Sequence, residues 1–588
     1  MYILGISCYY HDSAAALLKD GVIVAAAGEE RFTRKKNTQV FPINAIKFCL
    51  KHAGITIKDI DYVGFYERPL LKFERLFAQH IQTFPKSFKT FLSSTPGWIN
   101  ERLRVIKVIK KQLKYKGDVL FIEHHLAHAA SSFLVSPFEK AAIVTVDGVG
   151  EWSTTTYGVG EGSEIHLMKE IRFPTSIGLL YSTITAYLGF TVNNSEYKVM
   201  GLAPYGNMNP RTNQYFKKLM QVIDVKEDGS YRFNMEYFVY HWGNRMPSQK
   251  LCDLLGGQPR KPDEPVTKRH EDIAASVQLV LEHIMTKILH HVHKETKCDA
   301  VVLGGGCALN SVYNGKILRR TPFKNIWIQP NATDGGNAIG VAAYAYFTIL
   351  NHKRKPAHVQ THAYLGPGYT TKEVKQFLDK NRIRYTTFKN DEELVKTTAK
   401  LILGNNVVGW FQGRMEWGPR ALGTRSILSN ACNPEMKEIL NLKVKHREKF
   451  RPFAPVVCED DAMKYFDCDE PIPAPTDFML MVYPIRREWQ DKIPSVTHVD
   501  GSGRLQTIRR QQNPMYYDLV KEFGRLTGIP ILINTSFNIR GEPIVCTPFD
   551  AYKCMMGTGI DCLVMDKFLI KRSDNPQHMW DSEKYAKD

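Results

Sequence analysis

The chain has 588 residues, of which 43% are hydrophobic and 23% charged, a globular composition that suits about four domains of roughly 150 residues each or two larger ones. No stretch approaches the roughly 20 apolar residues of a membrane span and the N-terminus reads as a folded strand, so we expect a cytoplasmic protein without a membrane partner. The eleven scattered cysteines argue against a disulfide framework, and the net charge of +18 suits nucleic acid or phosphate-bearing small molecules.

The first predicted elements are strands at residues 3–7, 14–18 and 22–26, separated by turn residues and ending near Gly28. Further along the chain, apolar residues recur at helical spacing over residues 273–288 and are followed by a buried strand at 300–303. A helix followed by a buried strand is typical of an α/β domain. We therefore predict the α/β fold class for this half of the chain.

Two histidines follow the apolar run at residues 119–122. If that run is a strand and a helix begins near Glu123, His124 and His128 lie on one helical face at i and i+4, a spacing that can chelate one metal ion. Asp147, at the tip of the predicted strand 141–146, adds an oxygen ligand. Because short motifs often occur by chance, ordinary surface or core histidines remain the alternative.

Two glycine-rich turns, at residues 304–310 and 334–340, follow predicted strands. Glycines there let backbone N–H groups approach a phosphate or a nucleoside, which favours a nucleotide cleft, although tight turns alone would also require glycine. Asp334 then becomes a fourth ligand beside the two histidines and Asp147. Two imidazoles and two carboxylates suit Fe²⁺, Mn²⁺ or Zn²⁺.

Residues 351–362 are polar and basic, which indicates an interdomain linker. Beyond it, residues 413–423 and 445–455 interleave arginine and lysine with glycine and proline. This pattern favours cations that converge on a polyanion, with a salt-bridged surface as the alternative. A predicted strand at 529–533 ends in polar residues 534–538, which are suited to binding phosphate or base edges.

Seven motifs together identify a resemblance that spans both halves. They are residues 10–15, 29–32, 124–128, 196–206, 304–310, 418–423 and 534–538. On these motifs the whole chain resembles the nodulation-type O-carbamoyltransferases, which carbamoylate hydroxyl groups of antibiotics, signalling sugars and toxins.

The resemblance implies a two-step enzyme of class α/β, with an α+β C-terminal part. Residues 1–350 would form a carbamoyl-transfer domain similar to the actin and hexokinase superfamily, with the metal site. Residues 351–362 would be a linker, and 363–588 a YrdC-like domain that makes carbamoyl-adenylate from carbamoyl phosphate and ATP with Mg²⁺. The second partner would be a small-molecule alcohol.

Residue roles follow from the same resemblance. The expected metal ligands are His124, His128, Asp147 and Asp334, with Fe²⁺ preferred and Mn²⁺ or Zn²⁺ open. Gly304, Gly305 and Asn310 would contact the nucleoside. The residues expected to hold phosphates are Arg420, Lys445, Arg447, Arg451, Arg504, Asn534 and Ser536.

The catalytic assignments rest on three residues. His11, beside Asp12, would position or deprotonate the acceptor hydroxyl. A core histidine satisfied by Asp12 is the alternative for this pair. Lys36 would help to bind phosphate, with a solvated lysine as the alternative.

Two rival functions differ in substrate. A tRNA-modifying enzyme of the threonylcarbamoyl-adenosine type is the main alternative, although the small-molecule motifs argue against nucleic acid as the partner. A metalloprotease ranks last because the H-E-x-x-H signature is absent. The acceptor is undefined by the sequence, and a homodimer is left open.

Overall fold

The computed structural model describes residues 1–193, 195–445, 447–448 and 450–576. The chain divides into two compact units: unit 1 comprises Met1–Ala26 and Gln39–Gln360, and unit 2 comprises Ala27–Thr38 and Thr361–Asp588. The sequence-based division placed one boundary at a 351–362 linker and kept residues 27–38 in the first domain. The structure instead assigns that short segment to unit 2.

Side-chain contacts explain the assignment of residues 27–38. The Arg31 guanidinium donates to the Gly418 carbonyl at 2.9 Å, and Phe32 packs against the buried cluster around Met415. Arg34 donates to the Ile544 carbonyl at 2.7 Å. The segment is therefore part of the unit 2 core although it lies near the N-terminus.

Twelve strands lie in the first 360 residues: β1 Tyr2–Ser7, β2 Ala14–Lys19, β3 Val22–Gly28, β4 Tyr62–Phe65, β5 Asp118–Phe121, β6 Lys140–Val146, β7 Ser153–Glu161, β8 Glu164–Arg172, β9 Ile223–Val225, β10 Tyr231–Phe233, β11 Ala300–Gly304 and β12 Asn325–Ile328. The helices of the same region are α1 Glu30–Thr33, α2 Ile43–Ala53, α3 Pro69–Thr83, α4 Phe88–Asn100, α5 Val105–Leu113, α6 His124–Phe133, α7 Ile177–Tyr187, α8 Glu196–Leu202, α9 Gln214–Gln221, α10 Gln249–Leu254, α11 Lys268–Thr296, α12 Ser311–Asn314, α13 Ile317–Arg320 and α14 Asn337–Tyr344. The predicted N-terminal meander, the strand before His124 and the helix before β11 are all present.

Unit 1 is built on two five-stranded sheets with the same topology. One has the order β3-β2-β1-β4-β5 and the other β8-β7-β6-β11-β12. In the first sheet β1 pairs antiparallel with β2 and parallel with β4. In the second sheet β6 pairs antiparallel with β7 and parallel with β11, so β6 corresponds to β1. This repeated mixed sheet with helices confirms the α/β class.

Helix α14 connects the two repeats. It packs against β1 and against α6, and both contacts are close. A side chain at Gly5 would collide with the Ala338 carbonyl, and one at Gly340 would collide with the Ala127 carbonyl. The turn that precedes α14 is thereby held against the first turns of α6.

Unit 2 contains one nine-stranded mixed sheet, ordered β13-β21-β20-β14-β15-β19-β16-β18-β17. Its strands are β13 Thr386–Thr387, β14 Val408–Phe411, β15 Arg425–Asn430, β16 Ala454–Cys458, β17 Met481–Pro484, β18 Ser502–Ile508, β19 Ile531–Ser536, β20 Cys562–Met565 and β21 Phe568–Lys571. Its further helices are α15 Thr371–Lys380, α16 Asp391–Leu403, α17 Met436–Ile439, α18 Glu459–Tyr465, α19 Arg487–Gln490, α20 Pro514–Thr527 and α21 Pro548–Met556.

The strand predicted at residues 529–533 is β19, which begins at Ile531 and ends at Ser536. Strand β19 reaches Ser536, because Asn534 is paired with Leu428 of β15 on one side and with Ala454 of β16 on the other. These polar residues therefore lie within a central strand, which fixes their backbone positions.

No helix in the described part of the chain has the length and apolar character needed to cross a bilayer. All eleven cysteines are free thiols, and nine of them are buried.

Candidate metal centre and anion site

Two secondary-structure elements bring three of the predicted metal ligands together in unit 1. Helix α6 begins at His124, so His124 and His128 occupy its first two turns on one face, as the spacing predicts. Asp147 directly follows β6, and its Oδ1 accepts the Gly306 N–H at 3.0 Å. This bond to the glycine turn leaves Asp147 Oδ2 facing the His124 Nε2 atom, 3.1 Å away.

Asp334 completes the group from the short turn before α14. Its Oδ1 lies 3.5 Å from the Nε2 of His124 and 3.6 Å from that of His128. The two Nε2 atoms are 3.1 Å apart, and that of His128 lies 3.7 Å from Asp147 Oδ2. All four side chains are buried. The predicted donor atoms thus converge on one point.

The geometry of these four donors fits a divalent cation. Ligands placed about 2.1 Å from a tetrahedral ion are roughly 3.4 Å from one another. The five separations that involve a histidine run from 3.1 to 3.7 Å, and all four donor atoms lie within 4.8 Å of one another. In addition, neither carboxylate oxygen of Asp334 accepts a hydrogen bond, although both are buried. A buried carboxylate without donors is costly, and ligation of a cation removes that cost.

The charges of the cluster are mutually dependent. Burial opposes the charged form of His128, but the nearby carboxylates of Asp147 and Asp334, 3.7 and 3.6 Å from its Nε2, raise its pKa to about 9. Burial likewise opposes ionisation of Asp147, yet the two histidines hold the pKa of this carboxyl well below its usual value. Nearby positive charge therefore keeps the carboxylates of this site ionised, which is the state that a metal ligand requires.

His125, between the two ligands in sequence, is excluded from this group. Its Nδ1 lies 2.6 Å from the Thr145 hydroxyl, which in turn contacts Thr156. Burial and the two neighbouring histidines lower the pKa of His125 to about 3, so this ring is neutral. It is a core histidine, the role that the sequence left open as the alternative for His124 and His128.

His11 and Asp12 lie beside this centre. The His11 Nδ1 is 3.0 Å from Asp12 Oδ2. Burial alone would lower the pKa of His11, but the charges of Asp12 and Asp334 raise it to about 10. The influence of Asp334 places the imidazole within electrostatic range of the metal ligands, where the predicted acceptor-binding role requires it.

Sequence reasoning missed several buried charged residues next to the same centre. Glu151 accepts the His124 backbone N–H at 3.1 Å and so fixes the first turn of α6. Lys72 and Glu67 form a buried ion pair at 2.5 Å, and Arg75 donates to the Gly150 carbonyl at 3.2 Å. Their signal in the sequence was weak, because they lie on α3 and nearby loops without a motif.

The predicted nucleoside contacts have structural roles in unit 1. Gly305 has φ +90°, and a side chain there would collide with the Val146 carbonyl, so the glycines permit close packing of β11 against β6. The Asn310 amide bonds to Gln278 at 2.9 Å and caps α12 by accepting the Tyr313 N–H. A nucleoside contact for these three residues stays a prediction.

Lys445 is the centre of a second group, in unit 2. Its ammonium is buried and donates only to oxygen dipoles in the described chain: the Ser536 carbonyl, the Ser536 hydroxyl at 3.4 Å, the Asn538 carbonyl at 3.1 Å and the Asn538 side chain at 2.9 Å. Burial and then the nearby charge of Arg447 hold the pKa of Lys445 well below its usual value. The next cationic neighbours, Arg451 and Lys36, act in the same direction.

Lys36 therefore belongs with the phosphate-binding candidates of unit 2 and not with His11, which lies in unit 1. This differs from the sequence-based grouping of the two as catalytic residues of one domain. The reason is the excursion of residues 27–38 into unit 2.

Arg504, on β18, is the second strongly perturbed cation of unit 2. Burial comes first among the causes that hold its pKa well below the usual value, followed by the charges of three other arginines. These neighbours are Arg420, Arg447 and Arg451. The Arg504 Nε is buried without a hydrogen-bond partner. Because arginine keeps its proton in proteins, such a group is completed by an anion.

The loop that carries Arg420 is organised from within. One oxygen of the buried Glu416 carboxylate accepts the N–H groups of Leu422 and Thr424, each at 2.8 Å. Asn534 donates to the Ala421 carbonyl at 3.1 Å, while its own Oδ1 is buried without a partner. Asn534 thus braces the loop and leaves an oxygen available to a ligand.

His498 is a further residue that the sequence did not assign. Burial lowers the pKa of its ring to about 4, and the positive charge of Arg504 contributes to that shift. Its Nε2 is buried without a partner. Two other residues of the basic motif, His446 and Lys449, lie outside the described residues.

Residues 2–343 match a family model described as the carbamoyltransferase N-terminus. Residues 399–572 match the carbamoyltransferase C-terminus model. The chain belongs to the carbamoyltransferase family. It is therefore a carbamoyltransferase enzyme, which removes the metalloprotease alternative.

Relatives of this carbamoyltransferase include nodulation proteins. The chain is 35% identical to nodulation protein NolNO of Sinorhizobium fredii, over 97% of this chain and 80% of that protein. It is 34% identical to NolO of Bradyrhizobium diazoefficiens, over 78% of this chain and 80% of that one. An uncharacterized protein of Synechocystis is 45% identical over 99% of this chain and 98% of its own length. The predicted resemblance is confirmed at the level of the family.

Proposed function

We propose that this carbamoyltransferase makes carbamoyl-adenylate in unit 2 from carbamoyl phosphate and ATP, and transfers the carbamoyl group in unit 1 to a hydroxyl of a small-molecule natural product. The observation that carries the proposal is the cationic group around Lys445 and Arg504, in which burial and the neighbouring positive charges hold the pKa of both residues well below the usual value, so that negative countercharge from a ligand would stabilise it. Two phosphate-bearing substrates would supply that countercharge.

In the first step, water cleaves carbamoyl phosphate to carbamate and phosphate. A carbamate oxygen then attacks the α-phosphorus of ATP, and pyrophosphate leaves, with Mg²⁺ accompanying the nucleotide. Lys445, Arg504 and Arg420 would hold the phosphate oxygens while negative charge moves onto the leaving group. Preorganised cations of this kind stabilise such a transition state because they need no reorganisation.

In the second step, the acceptor oxygen attacks the carbamoyl carbon and AMP leaves. His11, held by Asp12, would bind the acceptor hydroxyl. The charges of Asp12 and Asp334 raise the pKa of His11 to about 10 against the effect of burial, which keeps the ring protonated near neutral pH. Neutralisation of the Asp334 charge would lower that pKa and favour the neutral ring, which would take the hydroxyl proton. The residues that would hold a divalent ion are His124, His128, Asp147 and Asp334. When bound, the ion supplies Lewis acidity at the carbamoyl carbonyl. Fe²⁺ is the first candidate, with Mn²⁺ and Zn²⁺ next.

The test is pyrophosphate release from ATP by the purified protein, with and without carbamoyl phosphate and without an acceptor. We expect release that depends on carbamoyl phosphate, reduced roughly 100-fold in Arg504→Ala. The matched control is Arg510→Ala, because Arg510 is an exposed arginine of unit 2 that pairs only with Asp518 in the described chain.

Absence of carbamoyl-phosphate-dependent release from the wild type would overturn the adenylate step. Equal release by the two arginine variants would overturn the location of the site. If the adenylate forms but carbamoylation is found on tRNA and on no alcohol, the proposed acceptor class is wrong.

A further inference from the structure

An unusual share of the exposed apolar surface lies on one helical insertion of unit 1. Seventeen large hydrophobic side chains are exposed in the described chain, and eight of them belong to α3, α4, α5 and the turns between them. They are Leu70, Phe77, Ile81, Phe84, Phe88, Leu92, Ile99 and Ile106. Leu70 is 74% exposed and Phe84 63% exposed. Scattered exposed hydrophobics are normal, but a concentration of this kind marks an interaction surface.

The insertion is an addition to the repeated fold. Residues 66–117 connect β4 to β5, whereas residues 305–324 make the equivalent connection from β11 to β12 in the second sheet. The inner faces of the helices are already buried, through Trp98 of α4 and Ile109 of α5. The exposed apolar side chains are therefore surplus to the packing of the unit.

The exposed apolar side chains of α3 and the start of α4 form a strip. Leu70, Phe77 and Ile81 recur at i, i+7 and i+11 on one face of α3, with the acidic Glu74 between the first two. The strip continues onto α4, because the rings of Phe77 and Phe91 are 6.1 Å apart and those of Phe84 and Phe88 are 6.3 Å apart.

The same insertion concentrates positive charge. Residues 69–116 contain eleven Lys and Arg against two Glu, a net charge of +9 out of +18 for the whole chain. Eight of these cations are exposed: Lys86, Lys89, Arg104, Lys107, Lys110, Lys111, Lys114 and Lys116. Lys86 and Lys89 flank Phe88 in sequence, and Ile106 adjoins Lys107 and Lys110 on the outer face of α5. Apolar and basic side chains therefore share one surface.

We propose that the 69–116 insertion binds the surface of an anionic lipid bilayer, with its apolar strip among the acyl chains and its lysines at the phosphate headgroups. Helices that lie in a membrane interface combine these two features, and anionic lipid attracts each surface lysine. This association needs no spanning helix, so it revises only the expectation that no membrane is a partner.

Two other occupants fit the charges less well. A second copy docked through the same face about a two-fold axis would place +9 against +9, which is repulsive. Nucleic acid would satisfy the lysines but would leave the aliphatic Leu70, Ile81 and Leu92 in water, since these offer no stacking surface.

The experiment is co-sedimentation of the full chain with vesicles of phosphatidylcholine alone or of phosphatidylcholine mixed with phosphatidylglycerol. We expect binding only to the anionic vesicles, weakened by salt. Lys107→Ala/Lys111→Ala should lower the partition coefficient about 30-fold, since each lysine contributes about fivefold. Phe84→Ser/Phe88→Ser should abolish binding. The matched controls, Lys372→Ala/Lys389→Ala and Phe549→Ser, change exposed residues of unit 2 and should bind as the wild type does.

Failure of the wild type to bind anionic vesicles at low salt would overturn the proposal, as would equal loss of binding in the control variants. If Phe84→Ser/Phe88→Ser instead converts a dimer to a monomer, measured by light scattering without lipid, the strip is a subunit interface. If Phe84→Ser/Phe88→Ser leaves vesicle binding intact, the apolar strip does not insert into the bilayer. Circular dichroism of each variant shows whether the helices are retained.

Discussion

The two candidate sites present opposite electrostatic problems. Unit 1 gathers two carboxylates and two imidazoles around one point, and unit 2 gathers a buried lysine and several arginines whose charges oppose one another. Each arrangement is unfavourable by itself, because burial penalises charge that is not balanced. Each becomes favourable with a ligand of opposite sign, a cation in unit 1 and a polyanion in unit 2.

The sites also differ in how they are held. The unit 1 donors lie at a strand end, on the first turns of α6 and before α14, and glycines fix these elements in close contact. In unit 2 the cations come from a loop, from the irregular helix Leu440–Lys445 and from β18, and they repel one another. The unit 1 donors are thus held by close backbone packing, whereas the unit 2 cations are held together against their mutual repulsion.

Asp334→Asn is expected to separate the activities of the two sites most strongly. This change keeps the side-chain volume but removes one anionic donor, so carbamoyl transfer to an alcohol should fall at least about 100-fold. Pyrophosphate release in unit 2 should be unchanged. Both reactions are measured on the same preparation, with Asp299→Asn as the control because Asp299 is exposed and pairs with Lys324.

Unfolding would not explain the loss in Asp334→Asn. Burial opposes ionisation of Asp334, but the nearby His124 and His11 rings hold its pKa below the usual value, so the neutral replacement should lower the melting temperature of the metal-free protein. Unchanged pyrophosphate release by the same preparation then shows that the variant is folded under assay conditions. Equal loss of both half-reactions would contradict the separation of the two sites.

Metal removal should distinguish the sites in a second way. After treatment with a chelator and removal of that chelator, Mg²⁺ alone should restore pyrophosphate release, since only the nucleotide requires it. Carbamoyl transfer should return only when Fe²⁺, Mn²⁺ or Zn²⁺ is added. Restoration of both reactions by Mg²⁺ would show that the His and Asp cluster does not need a transition metal.

The pH dependence of substrate binding reports on unit 2. Burial and neighbouring cations depress the pKa of Lys445, so this group loses its positive charge at a lower pH than an ordinary lysine. As the pH rises through that depressed pKa, the KM for the anionic substrates should increase, by up to about tenfold per pH unit. Lys445→Arg keeps its charge at high pH and should shift the rise to more alkaline pH. An identical profile for both proteins would exclude Lys445 as the titrating group.

The sequence predicted the positions of site residues correctly where their spacing within one helix or strand determines those positions. His124 and His128 converge because helical spacing requires it, and Asp147 follows because it ends the adjacent strand. Arg425 shows the limit. It lies near the basic motif, but its terminal N–H groups donate to the carbonyl oxygens of Gln412, Thr424, Pro367 and Gly413, whereas three other arginines oppose the charge of Arg504. The difference depends on strand register and burial, which no local pattern encodes.

The contrast between these two arginines gives the smallest effect, and it concerns stability. Arg425 is fully buried, lies 3.6 Å from the Phe411 ring centroid and satisfies four carbonyls, so Arg425→Met should destabilise the protein by about 3–5 kcal/mol. Arg504→Met removes a cation that three arginines repel, and should be neutral or stabilising by about 1 kcal/mol in the absence of substrate. Urea unfolding of both variants measures the difference. If Arg504→Met proves as destabilising as Arg425→Met, Arg504 is a structural residue, and the anion site must be built from the remaining cations.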